Sequence, residues 1–360
     1  MGEIRACTAE DIPAVAALFQ KTFVDARRPV PAGLADCIRG LLFGHPDFDP
    51  EIASRVLVED GRVVGFAGVV PLRMWFRGRR LRAAVPTSLS VEDPQRRPLA
   101  GAKLVRAFLQ GPQDLSISEP TNVQAQKLWV ALGGETVTAE SMEWLKVLKP
   151  AGLAVALAAD ALPAARFARP AARLVDRFAG RFVGAVPARP AGLAVEATDD
   201  GGFATAVADA METYALRPDW PSDSFAWQLS HAAGNRSRGP LRRLVMRDGK
   251  GRVAGAALYQ GAPGGVGWVL QLLARPEAAR AVLAALMADA AAAGCVAVKG
   301  RTQARLLDGL LDAGALLFRR HTSMVHARDP EIAAAVRAGE AITSGFAGEA
   351  WMRHVSDRWA

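Results

Sequence analysis

The sequence predicts an α/β (α+β) protein made of two similar units, each a mixed, mostly antiparallel twisted sheet flanked by helices. Three observations support this prediction: the length, the order of strand and helix patterns, and a repeat of that order along the chain. The chain has 360 residues, more than one ordinary hydrophobic core requires. We therefore expect two domains.

The composition is that of a soluble globular protein, with 51% hydrophobic and 22% charged residues. No apolar run free of charges reaches the roughly 20 residues that span a bilayer, and the start, MGEIRACTAEDIP, lacks the basic and apolar regions of a secretory signal. Cys7, Cys37 and Cys295 are too scattered for a disulfide framework or a metal site. A reducing cytoplasm is therefore the expected localisation.

The net charge of +8 favours anionic partners. Phosphorylated cofactors, acidic carrier proteins, nucleic acid and anionic lipid all meet that description. The alternative is a general preference for Arg and Ala codons that has no functional meaning.

Strand and helix patterns alternate through the first 149 residues. A short strand, EIRAC, precedes the capping-box pair Thr8 and Asp11, which predicts a helix start, and a second helix is expected over 32–43. Asp-Gly and Arg-Gly pairs between β-rich runs predict two hairpin turns. A third strand, a loop, a helix over about 99–109, the short strand DLSIS and a Gly-terminated helix complete the unit.

Residues 150–190 are rich in Ala, Pro and Arg and separate the two units. Pro170 is expected near a helix start. Arginines recur near one helical face and apolar residues on another: Arg166, Arg169, Arg173, Arg177 and Arg181 against Leu174, Phe178 and Phe182. One hypothesis is a linker helix packed across both domains. The other is an interfacial helix within 163–182 that contacts anionic lipid.

The same order of patterns returns after residue 190. LRRLVMRDGKGRVAGAAL matches RVLVEDGRVVGFAG around a hairpin turn, and strand, loop, helix, strand and helix follow. This repetition indicates an internal duplication of roughly 150 residues. The predicted domains are 1–149, 150–190 and 191–360, of which the first binds the cofactor and the last is a degenerate copy.

The order of elements and two motifs resemble the GNAT superfamily of acyl-CoA N-acyltransferases. The stretch 96–101, RRPLAG, aligns with the family pattern Arg/Gln-x-x-Gly-x-Gly/Ala. A second pattern, Asn-x-x-Ala-x-x-Leu-Tyr-x-x-x-Gly, is matched in register by Asn122, Ala125, Leu128, Trp129 and Gly133. The resemblance covers residues 2 to about 148 through motifs, and about 193 to 328 through topology.

The resemblance implies acetyl-CoA or another acyl-CoA as the cofactor. A loop that enters a helix directs free backbone N–H groups and the helix dipole at one point, where a pyrophosphate fits. Pro98 removes one donor and Leu99 adds bulk, so we expect an altered site that arginines compensate by charge; the alternative is an ordinary helix start. The residues expected to bind the cofactor are Val91, Arg96, Arg97, Leu99, Ala100, Gly101, Ala102 and Asn122.

The second unit offers a poorer cofactor loop. LLARPEAARAVLAALM has no glycine before its helix, and Glu277 near the helix start repels a phosphate. In the first unit, Asn122 either bonds the pantetheine arm or caps its own helix.

Two carboxylates are candidate general bases. Glu92 ends the strand on the cofactor side, and Glu119 ends the next strand, which places both near the expected cleft. The alternatives are a surface turn for Glu92 and a favourable charge near a helix start for Glu119. Trp129 occupies the position where the family often has an acidic Tyr; an indole cannot titrate usefully, and a core aromatic is the alternative. The five histidines have no metal-ligand spacing.

The leading functional hypothesis is an acyl-CoA-dependent N-acyltransferase that acts on a primary amine of a small molecule. One alternative is a Fem-like transferase that uses aminoacyl-tRNA or an acyl-carrier protein as donor, which would suit the basic face in the linker. The other alternative is a non-catalytic GNAT-like binding module.

Overall fold

The computed structural model describes residues 2–179, 188, 190–220 and 222–356. These residues form two sheets with helices packed against them. The strands are β1 (Glu3–Ala6), β2 (Arg55–Glu59), β3 (Arg62–Phe76), β4 (Arg79–Val91), β5 (Leu115–Thr121), β6 (Glu135–Thr136), β7 (Glu143–Val147), β8 (Leu193–Ala197), β9 (Leu216–Pro218), β10 (Leu241–Asp248), β11 (Val253–Gln260), β12 (Val266–Ala274), β13 (Ala297–Arg301), β14 (Leu316–Phe318) and β15 (Thr322–Ala327).

The two helices predicted with bounds, over 32–43 and about 99–109, are observed close to those positions. The α-helices of the described residues are α1 (Ile12–Phe19), α2 (Leu34–Phe43), α3 (Ala100–Leu109), α4 (Val123–Ala131), α5 (Pro150–Ala161), α6 (Arg169–Ala179), α7 (Asp200–Met211), α8 (Asp223–Ala233), α9 (Ala279–Ala292), α10 (Leu307–Asp312), α11 (Pro330–Arg337) and α12 (Arg353–Ser356).

Local signals in the sequence correspond to local structure. The capping box is present: the backbone N–H of Thr8 donates to Asp11 Oδ2 at 2.8 Å. The first predicted turn has Asp60 and Gly61 in the left-handed region, at φ 49° and 72°. In the matching hairpin of the second unit, Gly251 takes the left-handed conformation, at φ 78°. The predicted fold class, two mixed sheets flanked by helices, is confirmed.

The two sheets repeat one topology. The first has the order β1-β2-β3-β4-β5-β15-β6, with β9 paired to β3, and the second has the order β8-β10-β11-β12-β13-β7-β14. Each sheet is antiparallel except where β4 meets β5 and where β12 meets β13. The predicted duplication is therefore visible strand by strand.

The last strand of each unit lies in the sheet of the other unit. β7 precedes the linker but pairs with β13, with Val147 opposite Ala297. β15 belongs to the second half of the chain but pairs with β5, with Ala327 opposite Leu115. Backbone hydrogen bonds therefore join residues from both sides of position 149. The predicted boundary there can divide the repeated sequence but not the two sheets, and it stays a prediction.

The hydrophobic core also joins the two units. One cluster combines Val70 and Ile117 of the first sheet with Phe203 of α7, Phe225 of α8 and Trp351 near the C-terminal end of the described chain. The exchanged strands and this shared core hold the two sheets in one body.

The linker forms a pair of helices. The carboxylate of Asp176 on α6 accepts hydrogen bonds from the backbone N–H groups of Ala151 and Gly152, at 2.8 and 2.9 Å, at the start of α5. α6 begins at Arg169, next to Pro170 as expected, and its Leu174 is 59% exposed. Arg181 and Phe182 lie outside the described residues, and lipid contact stays a prediction. Within the described ranges, no helix has both the length and the apolar character needed to cross a membrane.

Candidate active site

The candidate site lies where β4 and β5 separate. The two strands pair in parallel at Ala83–Leu115 and Ala84–Ser116 and diverge toward their carboxyl ends. Past that point the side chains of both strands border open space rather than each other. Such a fork in a sheet leaves room for a ligand without breaking the fold.

A bulge in β4 accounts for the divergence. The register between β3 and β4 shifts after Phe66, and Ser88 has a left-handed φ of 56°. A bulge adds a residue to one strand and bends it. The bend opens a cleft of about 1580 Å³.

The cleft has an apolar half and a polar half. The apolar half, in the first unit, is lined by Leu89, Val91, Val105, Phe108 and Leu128. The polar half includes residues from beyond the linker and is lined by Glu119, Glu143, Trp268, Lys299, Arg301 and Glu349.

The start of α3 faces the cleft with available hydrogen-bond donors. The N–H of Ala100 donates to Arg97, at 3.1 Å, and the N–H of Lys103 donates to Leu99, at 3.0 Å. Among the described residues, no backbone acceptor binds the N–H groups of Leu99, Gly101 or Ala102. Three donors at one helix start, aligned with the positive end of the helix dipole, favour an anion there.

Gly101 leaves this helix start accessible. A Cβ at this position would have Leu128 Cδ1, 3.9 Å away, as its nearest neighbour, so the residue opens onto the cleft. Ala102, Val91 and Arg97 also border the cleft, while Ala100 is buried beneath the helix. The cofactor-binding roles of these residues stay predictions.

Two expectations about the loop need correction. Leu99 is 65% exposed and does not line the cleft, so its side chain adds no bulk where an anion would approach. The Arg97 guanidinium is already paired, with Nε 2.8 Å from Glu59 and Nη1 2.9 Å from the carbonyl of Glu92. Arg96 is exposed and does not line the cleft. The attraction for an anion would therefore come mainly from the N–H groups and the dipole at the start of α3, and not from these two arginines.

Asn122 and Trp129 both have structural tasks. Asn122 Oδ1 accepts a hydrogen bond from the N–H of Ala125, at 2.9 Å, and so caps α4; its side chain also borders the cleft. Trp129 is 3% exposed and packs on Phe108, with ring centres 6.0 Å apart. Trp129 is therefore a core aromatic, the alternative that the sequence offered, and it also borders the cleft.

Glu92 is held in ion pairs outside the cleft. Its carboxylate lies 3.0 Å from Lys21 Nζ and 3.7 Å from an Arg62 nitrogen. The hydrogen bond from Lys21 is the main cause that lowers the pKa of Glu92. A carboxylate that is stabilised in its charged form is a weak base. These contacts favour the surface alternative, and a catalytic role for Glu92 stays an untested prediction.

Glu119 lies at the floor of the cleft and is 2% exposed. Its Oε1 is 3.1 Å from Arg301 Nε, outside hydrogen-bond geometry, and its Oε2 accepts the N–H of Gly345 at 3.1 Å. Burial raises the pKa of Glu119 to about 7, against the opposing effects of Arg301 and the Gly345 N–H. A carboxyl group that titrates near neutrality suits proton transfer.

A second buried carboxylate lies next to Glu119. Glu349 accepts a hydrogen bond from the Thr87 hydroxyl at 3.3 Å, and its backbone N–H donates to the Glu119 carbonyl at 3.3 Å. Burial raises the pKa of Glu349 well above its usual range, and the charge of Glu119 adds to that shift. His354 Nε2 lies 2.9 Å from Ser88 Oγ at the β4 bulge. The described residues contain no cluster of His, Cys, Asp or Glu that could hold a metal ion.

Sequence reasoning missed four residues that strands β13 and β7 and the C-terminal segment bring to the cleft. Arg301 and Lys299 reach it on β13, Glu143 on the exchanged strand β7, and Glu349 on the C-terminal segment. For Arg301 a signal existed. When the two repeats are aligned, Arg301 occupies the position that Glu119 has in the first repeat, because each is the fifth residue of its strand.

Comparison with known proteins agrees with this architecture. No family model and no curated protein matches the sequence. Among solved structures, an Enterococcus faecalis protein of unknown function, described as a probable N-acyltransferase, is similar at TM-score 0.59 and 12% identity, covering 91% of this chain and 73% of that one.

Two GCN5-related N-acetyltransferases are also similar. The one from Anabaena variabilis has TM-score 0.59 and 14% identity over 92% of this chain and 74% of its own. The one from Kribbella flavida has TM-score 0.56 and 17% identity over 94% of this chain and 74% of its own. At such identities the similarity shows the fold. The chain therefore has the fold of GNAT acyltransferases in a tandem arrangement, and the resemblance first seen in two motifs is confirmed at that level.

Proposed function

We propose that this protein transfers an acyl group from an acyl-CoA to a primary amine in the cleft between β4 and β5. The observation that carries the proposal is the layout of that cleft. Free N–H donors at the start of α3 lie at the apolar end, and a carboxyl group with a pKa of about 7 lies at the other. The fold neighbours, described as N-acetyltransferases and a probable N-acyltransferase, support the same reaction class.

The residues at the apolar end fit an acyl-CoA. The N–H groups of Gly101 and Ala102, which line the cleft, would hold the pyrophosphate, because they have no other backbone acceptor in the described chain. Val105 and Phe108 offer an apolar surface to the arm and the acyl chain. When bound, acyl-CoA supplies the thioester carbon that the amine attacks.

Glu119 then serves as the general base. The amine nitrogen forms a bond to the acyl carbon, the carbon–sulfur bond breaks, and the proton lost by nitrogen passes to the Glu119 carboxylate. Since the residue is 2% exposed, the transfer requires an amine at the floor of the cleft or one bridging water. The leaving thiolate takes its proton from solvent, because the indole of Trp129 is no acid.

The test is acyl-CoA binding by a pair of matched variants. Gly101→Val places a branched side chain at the open helix start, and Arg280→Val makes the same residue at the second position of α9. Native mass spectrometry and calorimetry with acetyl-CoA and a longer acyl-CoA would measure binding. We expect Gly101→Val to weaken binding by about tenfold or more, since it blocks close approach to the N–H donors.

The control should bind acyl-CoA like the unmodified protein. Arg280 pairs with Asp312 on the surface, at 2.6 Å, and both side chains are more than half exposed. If neither acyl-CoA binds the unmodified protein, the proposal is wrong, and aminoacyl-tRNA, acyl-carrier protein and non-catalytic binding become the hypotheses to test. Equal weakening by both variants would also contradict the proposed site.

A further inference from the structure

The polar half of the cleft contains a basic cluster that the acyl transfer itself does not use. Lys299 and Arg301 are two residues apart on β13 and so project from the same face of the strand, with Cα atoms roughly 7 Å apart. Trp268 is the partner of Lys299 across the parallel strands β12 and β13. All three residues line the cleft beyond Glu119.

One carboxylate serves three basic side chains in this cluster. Glu143 lies 3.5 Å from Lys299 Nζ, 3.8 Å from Arg301 Nη1 and 3.7 Å from His321 Nδ1. His321, Arg301 and Lys299 together lower the pKa of Glu143 to about 2, so it is ionised throughout the neutral range. A single carboxylate is thus the shared ion-pair partner of all three side chains.

Arg301 lies near two carboxylates but donates a hydrogen bond to neither, and its buried Nη1 has no hydrogen-bond partner among the described residues. Its guanidinium lies 3.1 Å from Glu119 and 3.8 Å from Glu143. Lys299 differs, because its ammonium group has three donors and its ion pair with Glu143 is long, at 3.5 Å. Burial lowers the pKa of Lys299, and the charges of Arg320 and Arg238 lower it further. A further anion in the cleft would stabilise this ammonium.

The surface beside Lys299 is flat and aromatic. Lys299 Nζ lies 3.6 Å and Arg238 Cζ 3.8 Å from the centre of the Trp268 ring. The ring attracts both cations but cannot replace an anion. An anionic group that reaches Lys299 would therefore lie beside these two cations, in the same cleft as Glu119.

We propose that the acceptor is an amine that also carries a carboxylate, and that Lys299 binds this carboxylate while the amine faces Glu119. The inference rests on the proposed acyl transfer for the task of Glu119, but binding at Lys299 needs no acyl-CoA. A purely cationic amine would meet like charges at Lys299 and Arg301, which opposes binding. One ammonium suits a monoanion; phosphate is more often held by arginine forks or helix starts.

The first experiment measures binding without acyl-CoA. The indole N–H signal of Trp268 in the ¹⁵N-labelled full chain, assigned with Trp268→Phe, reports on the polar half of the cleft. Glycine, β-alanine and γ-aminobutyrate are titrated against their amides, with phosphoethanolamine as an additional probe. We expect at least one acid to bind about tenfold or more tightly than its amide, because the amide lacks the charge that pairs with Lys299.

Matched lysine variants assign the effect to one side chain. Lys299→Gln should remove the preference for the acid, and Lys299→Arg should keep it. Lys250→Gln makes the same chemical change at an exposed hairpin turn far along the chain and should leave binding unchanged. The thermal unfolding midpoint of Lys299→Gln, compared with that of the unmodified protein, shows whether a loss of preference is caused by misfolding.

The outcomes separate this inference from the proposed function. The inference would be overturned if amides bind as well as acids, if acids bind to Lys299→Gln with unchanged affinity, or if no probe binds. Tighter binding of phosphoethanolamine than of the acids would overturn the choice of a carboxylate. In a thiol-release assay, acids should exceed amides about tenfold in kcat/KM, and Lys299→Gln should reduce that ratio to about one. If acids bind at Lys299 but no amine is acylated, the proposed function fails while the carboxylate site stands.

Discussion

The two units share a topology but differ at the helix start that would hold an anion. In the first unit, α3 begins with Ala100 and Gly101, and three N–H groups nearby have no backbone acceptor among the described residues. In the second unit, α9 has Arg280 at the position of Gly101, and this arginine pairs with Asp312. The same fold thus has a glycine at the second helix position in one copy and an ion-paired arginine in the other.

The forks in the two sheets differ as well. In the second unit, the chain itself binds along β12: Gln303 Nε2 donates to the Leu272 carbonyl and the N–H of Phe346 donates to Gln271 Oε1, both at 2.9 Å. Gly345 has a φ of 71°, and a Cβ there would collide with the Leu270 carbonyl. The space that is a cleft in the first unit is therefore occupied in the second.

The most informative difference is one pair of equivalent residues. Glu119 and Arg301 are each the fifth residue of the corresponding strands β5 and β13, and they face each other at 3.1 Å. The repeated topology places these two equivalent positions next to each other, and they carry opposite charges. The second unit thus contributes a cation that lies beside the carboxylate of the first.

Among the variants that test this difference between the two units, Glu119→Gln is expected to have the largest effect on the rate of acyl transfer. Acyl transfer should fall by about a hundredfold or more, because an amide accepts no proton, while acyl-CoA binding should remain. The rise of kcat/KM with pH around 7 should also disappear, since the rate requires the ionised form of a group whose pKa is about 7. Steady-state rates of thiol release between pH 5 and 9 provide the measurement.

Glu140→Gln is the matched control for that variant. Glu140 is also buried, and burial raises its pKa to about 8, so an amide resembles the protonated form that prevails at neutral pH. It does not line the cleft. A similar loss of rate in both variants would mean that buried carboxylates matter for folding here and that Glu119 has no special task.

Much of the fold could be predicted from local signals. The capping pair Thr8 and Asp11, the Asp60-Gly61 turn and the loop before α3 are written in adjacent residues, and the structure contains them. The strand exchange had no such signal, because β7 and β15 carry the same pattern in whichever sheet they pair. Register between distant strands depends on the whole core, which no short window of sequence contains.

The candidate site was predictable to the same extent. The first unit supplied Glu119 and Gly101 through strand ends and a loop motif. Glu349 comes from a C-terminal segment without a motif, and the ion pair of Glu92 with Lys21 joins residues 71 positions apart. Both depend on tertiary packing. From the sequence alone, Glu92 and Glu119 were therefore equally good candidates for the general base, although their surroundings shift their pKa values in opposite directions.

A smaller effect is expected when the second unit's cation is removed. The charge of Arg301 favours the ionised form of Glu119, whereas that of Glu143 disfavours it. Arg301→Gln should therefore move the midpoint of the pH–rate profile upward by about one pH unit, and Glu143→Gln should move it downward. The kcat/KM profile of each variant is the measurement. Shifts of both variants in the same direction would contradict the role assigned to the Glu119–Arg301 pair.

The smallest effect on the transfer rate is expected for a substitution of Trp129, because comparison of the two units predicts that this residue lies in the core. Its equivalent is Leu310, which is fully buried; both carbonyls accept the N–H five residues on, from Gly134 and Ala315. Trp129→Tyr should lower the free energy of unfolding by about 1–2 kcal/mol through lost packing. The transfer rate should change by less than about threefold, because this side chain packs in the core and takes no part in proton transfer.

Denaturant unfolding and thiol-release rates on the same preparation separate these two effects of Trp129→Tyr. A rate increase of about tenfold, with a new fall in rate near the pKa of a phenol at about 10, would show that a tyrosine at this position protonates the leaving thiolate. In that case the equivalence with Leu310 would hold for packing but not for function. The first unit would then have lost an acid during its divergence, and not merely kept a core residue.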